Sequence, residues 1–310
     1  MIMNRLLPPI AALAALALGS GCSSLAQVVR EDAPGFVLKQ PALGSAELGR
    51  RLLSGQAEVN ACFLGNRSQE PLKSWSARTL TYDASGGGKL QADFGSTIQV
   101  GAGASGSRQI KLTLRDMSVE KLESLYFDPK GPCAVDDALR ARYAAPEGVL
   151  DRVITRALRA GAIDITDTTG GAVNLTVKAT AVPVGGGVEG KGQKQSSWQG
   201  AELYIAHFLE PVKVTLKAAP TCALAVNSGQ TCDLSACSVK LDSVGPDGAY
   251  GATLTCQDGS ASPIPGKLGE WEGQRAGAGV SYTLRVRKGE QLGVYQVEFF
   301  RWSVLSTEAR

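Results

Sequence analysis

The sequence predicts an α+β domain with an antiparallel sheet at residues 46–218, followed by a small, disulfide-stabilised all-β domain, a sandwich or barrel, at 219–310. Three observations predict this fold class. Apolar and polar side chains alternate along many segments, as they do in half-buried antiparallel strands. Helical periodicity is confined to the middle of the first part. Four of the seven cysteines lie close together near the end, where a domain with a small core needs disulfides.

Composition narrows the class of protein. Of the 310 residues 44% are apolar, so the chain can bury a core and is not disordered. The 32 basic and 29 acidic residues leave a net charge of +3 without a long basic run, which gives no electrostatic footprint for nucleic acid. The 37 glycines and the aromatic content of 6% are typical of a β-rich, loop-rich extracytoplasmic protein.

The N-terminus has the pattern of a secretory signal. Arg5 is the only charged residue before an apolar stretch from Leu6 to Leu18, and small residues follow that stretch. A membrane-spanning helix needs about 20 apolar residues, more than this stretch provides. We therefore expect residues 1–21 to be a signal peptide.

A cysteine follows these small residues. Gly19-Ser20-Gly21-Cys22 resembles the lipobox of bacterial lipoproteins, with Gly19 in place of the usual leucine. The resemblance implies that Cys22 carries acyl chains such as palmitate, that residues 22–45 form a lipidated tether, and that the protein is anchored in the cell envelope. Ser23 in place of aspartate implies the outer membrane, on its periplasmic face or at the surface. The alternative is an ordinary signal peptide with an incidental cysteine.

The other six cysteines are an even number, as expected for disulfides in an oxidising compartment. Their segregation favours a Cys62–Cys133 bridge together with two bridges inside a C-terminal group. The pairing within that group stays open for its four members, Cys222, Cys232, Cys237 and Cys256. A zinc site is disfavoured because no C-x2-C pair occurs and the single histidine, His207, is remote in sequence.

The order of elements follows from the periodicities. Residues 46–54 are expected to form one or two helical turns. Alternation predicts strands before the helical region at 56–64, 74–84, 89–103 and 107–119, and after it at 162–168, 172–182 and 196–218. Ala218-Ala219-Pro220 marks a boundary. Short strands beyond it are predicted at 221–244, 248–258, 281–289 and 294–305.

The helical region has three predicted segments. Residues 119–127 are expected to form a short helix or turn, and residues 135–144 a short amphipathic helix with acidic residues at its start. Residues 148–162 carry apolar side chains at i, i+3 and i+4 spacing, with arginines on the polar side and Gly161 at the C-cap.

Motifs for catalysis or nucleotide binding are incomplete. Residues 101–106 match G-x-G-x-x-G and 185–191 approach a P-loop, but strands follow both, where a phosphate site needs a helix. His207 lies in phase with the apolar face of a predicted strand, and no G-x-S-x-G nucleophile is present. Two acidic pairs fit a helix start and a strand end: Asp136 with Asp137, and Asp164 with Asp167. We therefore expect no enzyme, no metal and no cofactor.

The patterns leave two classes of function. We expect a lipid-anchored binding or structural protein, a component or accessory of a surface assembly with an envelope protein as partner. The alternative is a membrane-perturbing or pore-forming protein, because residues 75–115 are amphipathic strands joined by glycine-rich turns. Residues 80–216 also resemble the pore-forming domain of gasdermins in the order helix, strand, glycine-rich lysine-containing turn, strand; no residue role is carried over. A secreted hydrolase is a third, weaker alternative.

Overall fold

Antiparallel β-sheet dominates the computed structural model of the protein. The structure describes residues 24–43, 45–53, 56–57, 60–73, 75, 79–83, 88–94, 98–100, 109–167, 175–177, 195–234, 236–277 and 279–306. The helices are short: α1 Leu25–Asp32, α2 Gly88–Phe94, α3 Pro132–Val135 and α4 Asp137–Tyr143. The predicted antiparallel β architecture and the presence of disulfides are confirmed.

The strands of the first half include three that are unusually long. The strands of this half are β1 Val37–Leu43, β2 Leu52–Leu53, β3 Gln56–Ala57, β4 Phe63–Pro71, β5 Thr79–Asp83, β6 Ile98–Val100, β7 Gln109–Phe127, β8 Val149–Asp167, β9 Leu175–Val177 and β10 Gln195–Ala225. The three long ones are β7, β8 and β10. The remaining strands are β11 Thr231–Asp233, β12 Cys237–Val244, β13 Ala249–Cys256, β14 Ala261–Lys267, β15 Trp271–Gly277, β16 Val280–Lys288 and β17 Val294–Ser306.

One nine-stranded sheet connects the two halves of the chain. Its order is β15-β16-β17-β10-β8-β7-β4, with β1 added to β10 and β5 added to β7. The 31-residue β10 pairs with β8 along Gln195–Val214 and with β17 along Val212–Ala225. A four-stranded sheet, β11-β12-β13-β14, packs against the C-terminal strands around Leu241, Leu254 and Phe299.

The predicted helix at 148–162 is wrong, because these residues lie in β8. This strand runs between β7 and β10, and apolar residues cover both of its faces. From Val153 to Ala160 only Arg156 and Arg159 are not fully buried. A strand that is buried on both faces carries apolar residues at consecutive positions, and such a run also satisfies helical spacing.

Three other local predictions differ from the structure. Residues 119–127 continue β7 instead of forming a helix or turn. The predicted strand 89–103 begins with α2, whose Leu90 and Phe94 lie one helical turn apart and are both buried. Of the helical turns predicted at 46–54, none is present in the described residues 46–53, since Gly49 has a φ of +81° and a Cβ there would lie 2.0 Å from the Phe63 carbonyl oxygen.

The short helix predicted at 135–144 is present as α4. Asp136 is its N-cap, and its side chain accepts a hydrogen bond of 2.9 Å from the Leu139 backbone N–H. Residues 24–43, which fall in the predicted tether, form α1 and β1 and contribute Leu25, Val28 and Val29 to the core.

The six cysteines of the folded part form three disulfides. Cys62 pairs with Cys133, and the C-terminal group pairs as Cys222–Cys232 and Cys237–Cys256. Each bridge therefore stays on its own side of the boundary at 218–220, as the segregation of the cysteines favours. The first bridge ties α3 to the segment that leads into β4.

Candidate functional site

Four neighbouring strands form an amphipathic sheet. We use "four-strand sheet" for β5, residues 109–117 of β7, residues 158–167 of β8 and residues 195–206 of β10, which lie side by side in the order β5-β7-β8-β10. One face is apolar and buried; we call it the covered face. Its members are Leu80, Tyr82, Ile110, Leu112, Leu114, Ile163, Ile165, Leu203 and Ile205.

The opposite face of the same strands is polar. Arg115 and Asp164 form an ion pair with 2.5 Å between Nε and Oδ2, and the hydroxyls of Thr79 and Thr113 lie 3.0 Å apart. Lys111 is exposed on this face. Alternation of this kind gives each strand one face that prefers water and one that prefers an apolar environment.

Short elements cover the apolar face. Leu25, Val28 and Val29 of α1, Leu90 and Phe94 of α2, and Ala42 of β1 complete the same hydrophobic core. Tyr82 also holds α2, because its hydroxyl donates a hydrogen bond of 2.9 Å to Asp93 Oδ2. We call α1 and β1 the N-terminal cover. Two helices of eight and seven residues and one strand therefore separate the covered face from solvent.

Two chain connections meet at one end of the four-strand sheet. The connection from β5 to β7 contains α2 and β6, and the connection from β8 to β10 contains β9. Strands β6 and β9 pair with each other, with Gln99 opposite Thr176. Because β7 begins and β8 ends at this end of the sheet, both connections emerge on the same side.

A cluster of charged groups lies where the N-terminal cover meets β10. We call Lys39, Glu47, Arg50 and His207 the His207 cluster. Lys39 forms an ion pair with Glu47, and Arg50 Nη1 donates a hydrogen bond of 3.2 Å to Glu47 Oε1. His207 Nε2 lies 3.8 Å from Glu47 Oε2. Glu47 has a φ of 50°, in the left-handed region that non-glycine residues seldom adopt.

Burial sets the protonation of this cluster. Desolvation, with Lys39 and Arg50 nearby, lowers the pKa of His207 from 6.5 to about 3. Desolvation, with Arg50 nearby, also lowers the pKa of Lys39 from 10.5 to about 8. His207 Nε2 is buried and has no hydrogen-bond partner among the residues that the structure describes. A cavity of about 340 Å³, lined in part by Glu47, Arg50 and Tyr204, borders the cluster.

A second buried network fixes the residues that follow this turn. Arg51 Nη1 donates a hydrogen bond of 2.7 Å to the Tyr143 hydroxyl, which in turn donates to Asp151. Arg142 Nη2 donates to Asp151 Oδ1 over 2.7 Å. These bonds join the turn to α4 and to β8, so the chain is firmly held just after the His207 cluster.

The structure separates most of the residues that the sequence singles out for chemistry. Asp136 caps α4 and Asp164 pairs with Arg115, while His207 lies in the cluster at β10. No group of histidine, cysteine, aspartate or glutamate residues that could hold a metal ion occurs among the described residues. Cys22 and the glycine-rich stretches 101–106 and 185–191 lie outside those residues.

Sequence reasoning missed the N-terminal cover and three members of the His207 cluster. Ser24 accepts a hydrogen bond from the Gln27 backbone N–H over 3.2 Å, and apolar residues follow it at helical spacing. That cap could have revealed α1. Lys39, Glu47 and Arg50 carry no local signal, because only the fold brings them to His207.

Comparison with known proteins gives no family. No protein-family model matches the chain, and no curated protein is significantly similar to it. Within the part of the chain that the structure describes, none of the helices has both the length and the apolar character needed to span a membrane.

Proposed function

We propose that this protein is a lipid-anchored protein of the cell envelope that inserts two segments of its own chain into the membrane and perturbs it. One observation carries the proposal: the four-strand sheet is apolar on one face, and only short elements shield that face. Removal of α1, α2 and β1 would leave an apolar face of the kind that can contact lipid.

The composition of the two connections supports insertion. Apolar residues recur at alternate positions from Leu90 to Ala104 in the first connection, except at Ser96, and from Val173 to Ala181 in the second. A strand of about 9–11 residues crosses the apolar part of a bilayer when tilted. The second stretch has this length, with nine residues, and the first exceeds it, with 15 residues. Both lie in connections between strands of the four-strand sheet. Each connection could thus extend its flanking strands into a hairpin.

The predicted lipid anchor lies at a suitable place. Cys22 precedes Ser24, the N-cap of α1, by only two residues, and α1 packs into the same core as α2. Acyl chains on Cys22 would therefore hold the covered face and both connections near the membrane. This placement favours the membrane in which the protein is anchored, which we propose is the outer membrane.

The directions of the two edge strands of the four-strand sheet allow several copies of the protein to associate through them. Among the described residues, β5 pairs with β7 alone, and residues 195–203 of β10 pair with β8 alone. Four alternating strands make β5 antiparallel to β10, so β5 of one copy could add to β10 of the next in antiparallel orientation. A head-to-tail contact of this kind can close into a ring.

A second candidate function is binding to an envelope protein, and an exposed patch favours it. Leu150 and Leu305 are 63% and 62% exposed, and each lies directly opposite Lys213 on neighbouring strands. Two exposed leucines beside a lysine form a small surface for an apolar and acidic partner. The patch lies away from the end where the two connections emerge.

We also propose the finer division of the fold into an α+β domain at 46–218 and a disulfide-stabilised β domain at 219–310. Two hydrophobic cores support it, one around Leu112 and Ile163 and one around Leu254 and Phe299, while a third core, which contains Phe127 and Trp302, joins the two parts. Strand β10 passes through the boundary and belongs to both parts.

A disulfide lock between the two connections tests the insertion proposal. Gln99 and Thr176 are register partners, so cysteines at both positions (Q99C/T176C) can bond across β6 and β9. We expect residues 23–310 to release dye from anionic phosphatidylglycerol vesicles, and the oxidised double variant to do so at least about tenfold more slowly. The lock holds Gln99 opposite Thr176, which is two residues out of the register that hairpins continuing the Ile110–Asp167 pairing of β7 and β8 would need.

The single variants Gln99→Cys and Thr176→Cys, with their thiols alkylated, are the matched controls and should release dye like the parent protein. Equal release by the locked and single variants would show that the two connections need not change register, which would contradict hairpins that continue β7 and β8. Absence of release by every protein at both pH 7.5 and pH 5 would overturn insertion and leave the binding proposal.

A further inference from the structure

We propose that the His207 cluster is an acid-sensitive latch that holds the N-terminal cover over the covered face. The inference adds regulation to the proposed function and rests on it for its biological meaning. The latch itself is a property of the folded chain in water, and it can be tested without a membrane.

The His207 cluster lies at the contact between β1 and β10, which must break when the N-terminal cover opens. Val37 and Leu38 of β1 pair with His207 and Ala206 of β10, and a register shift separates them from the pairing of Leu43 with Tyr204. Among the described strands, β1 pairs only with β10. Release of this short, irregular ladder would free β1 together with α1, which immediately precedes it.

The charges around His207 come from every element packed against it. Lys39 lies on β1, and Glu47 and Arg50 lie on the turn that follows. On the sheet, Glu120 accepts a hydrogen bond of 2.6 Å from the Tyr204 hydroxyl, and the Arg156 guanidinium lies 4.3 Å from the centroid of the Phe208 ring. Among the residues that the structure describes, Glu47 is the carboxylate that lies within 4 Å of the imidazole, and Lys39 and Arg50 already engage it.

Protonation of His207 is therefore unfavourable in the closed state, in which the N-terminal cover is in place. The side chain is 11% exposed, two cations are nearby, and the nearest carboxylate is already paired. When the cover opens, the imidazole of His207 is exposed to water and has its ordinary pKa. Because the open state binds a proton more tightly than the closed state, acid favours opening.

The direction of the pH effect on opening, and the pH range in which it occurs, follow from proton linkage. The pKa of His207 is 6.5 when exposed and about 3 when closed, so the closed state loses stability as the pH falls from near 6.5 towards 3. Between pH 7.5 and pH 5, this single group raises the opening equilibrium constant about 30-fold. Lys39, whose pKa lies near 8 in the closed state and 10.5 outside it, titrates above this range and adds a nearly constant contribution.

Hydrogen exchange of residues 23–310 in water, followed by mass spectrometry between pH 7.5 and pH 5, tests the latch. After correction for intrinsic exchange rates, the opening constant of the amides of β1 should rise about 30-fold, as one-proton linkage requires. The amides of β13, Ala249–Cys256, lie in the other sheet and serve as the internal reference. His207→Gln cannot be protonated, and its β1 amides should show almost no dependence on pH.

Two results would overturn the latch: β1 protection that does not change with pH, or a pH dependence that His207→Gln retains. If His207→Gln fails to fold, NMR titration of the parent protein replaces it, because His207 is the single histidine of the chain. The imidazole of the closed protein should stay neutral down to pH 5, and an imidazole that titrates near its ordinary pKa of 6.5 while β1 remains protected would count against the proposal. Acid opening without dye release would keep the latch and overturn insertion, whereas dye release without acid opening would do the reverse.

Discussion

Removal of the Cys62–Cys133 disulfide is expected to lower the free energy of unfolding by about 4 kcal/mol. The bridge closes a loop of 71 residues that contains β4, β5 and β7, so its loss restores much conformational freedom to the unfolded chain. The double variant Cys62→Ala/Cys133→Ala should show this loss in denaturant unfolding followed by circular dichroism.

The Cys222–Cys232 bridge provides the comparison. It spans only 10 residues, and the same chain-entropy argument gives a loss of about 3 kcal/mol for Cys222→Ala/Cys232→Ala. A larger loss for the short loop than for the long one would contradict this account of the disulfides.

Truncation of Trp302 is expected to have an effect of similar size. Its fully buried ring stacks on Phe127 at a centroid distance of 4.1 Å and meets Tyr143 edge-on, and its Nε1 donates a hydrogen bond of 2.8 Å to Thr283 Oγ1. Trp302→Ala should cost about 4 kcal/mol, because it leaves a cavity and removes the N–H that donates to Thr283 Oγ1.

Trp302→Phe separates the two contributions. Phenylalanine keeps a ring against Phe127 but cannot donate to Thr283. We therefore expect a loss of about 1 kcal/mol for the missing hydrogen bond, and a further loss because the phenylalanine ring fills less of the space. Denaturant unfolding of both variants provides the measurement. An alanine variant as stable as the phenylalanine variant would show that ring packing contributes little here.

The parts of the fold that the sequence predicts correctly are those with one clear periodicity. Residues 109–117 and 294–305 alternate, and both lie in strands that have one face against a core and one face partly open. The grouping of the disulfides is predicted from the positions of the cysteines and not from periodicity. A bridge between the two groups of cysteines would cross the boundary at 218–220.

Predictions failed where burial on two faces or a short amphipathic stretch allowed two interpretations. Residues 148–162 satisfy helical spacing because β8 is covered on both sides. Leu90 and Phe94 fit one face of a strand and equally one face of a helix, and packing under Tyr82 selects the helix. Pattern alone does not decide between these alternatives.

The candidate site was only partly accessible from the sequence. Alternation and glycine-rich turns indicated amphipathic strands, but not that one connection carries a helix that helps to cover them. His207 was recognised as a residue on an apolar strand. Its charged neighbours come from β1 and the turn after it, so their proximity is a product of the tertiary fold.

The most direct test of the central claim is the environment of β6 after the protein meets a membrane. Single cysteines at Ile98, Gln99 and Val100, each labelled with an environment-sensitive fluorophore, are mixed with anionic vesicles that contain a lipid-attached quencher. If the first connection inserts as a strand, labels at 98 and 100 should be quenched and the label at 99 should not, because alternate residues of a membrane strand face lipid and water. Equal quenching at all three positions, or none at any of them, would contradict insertion.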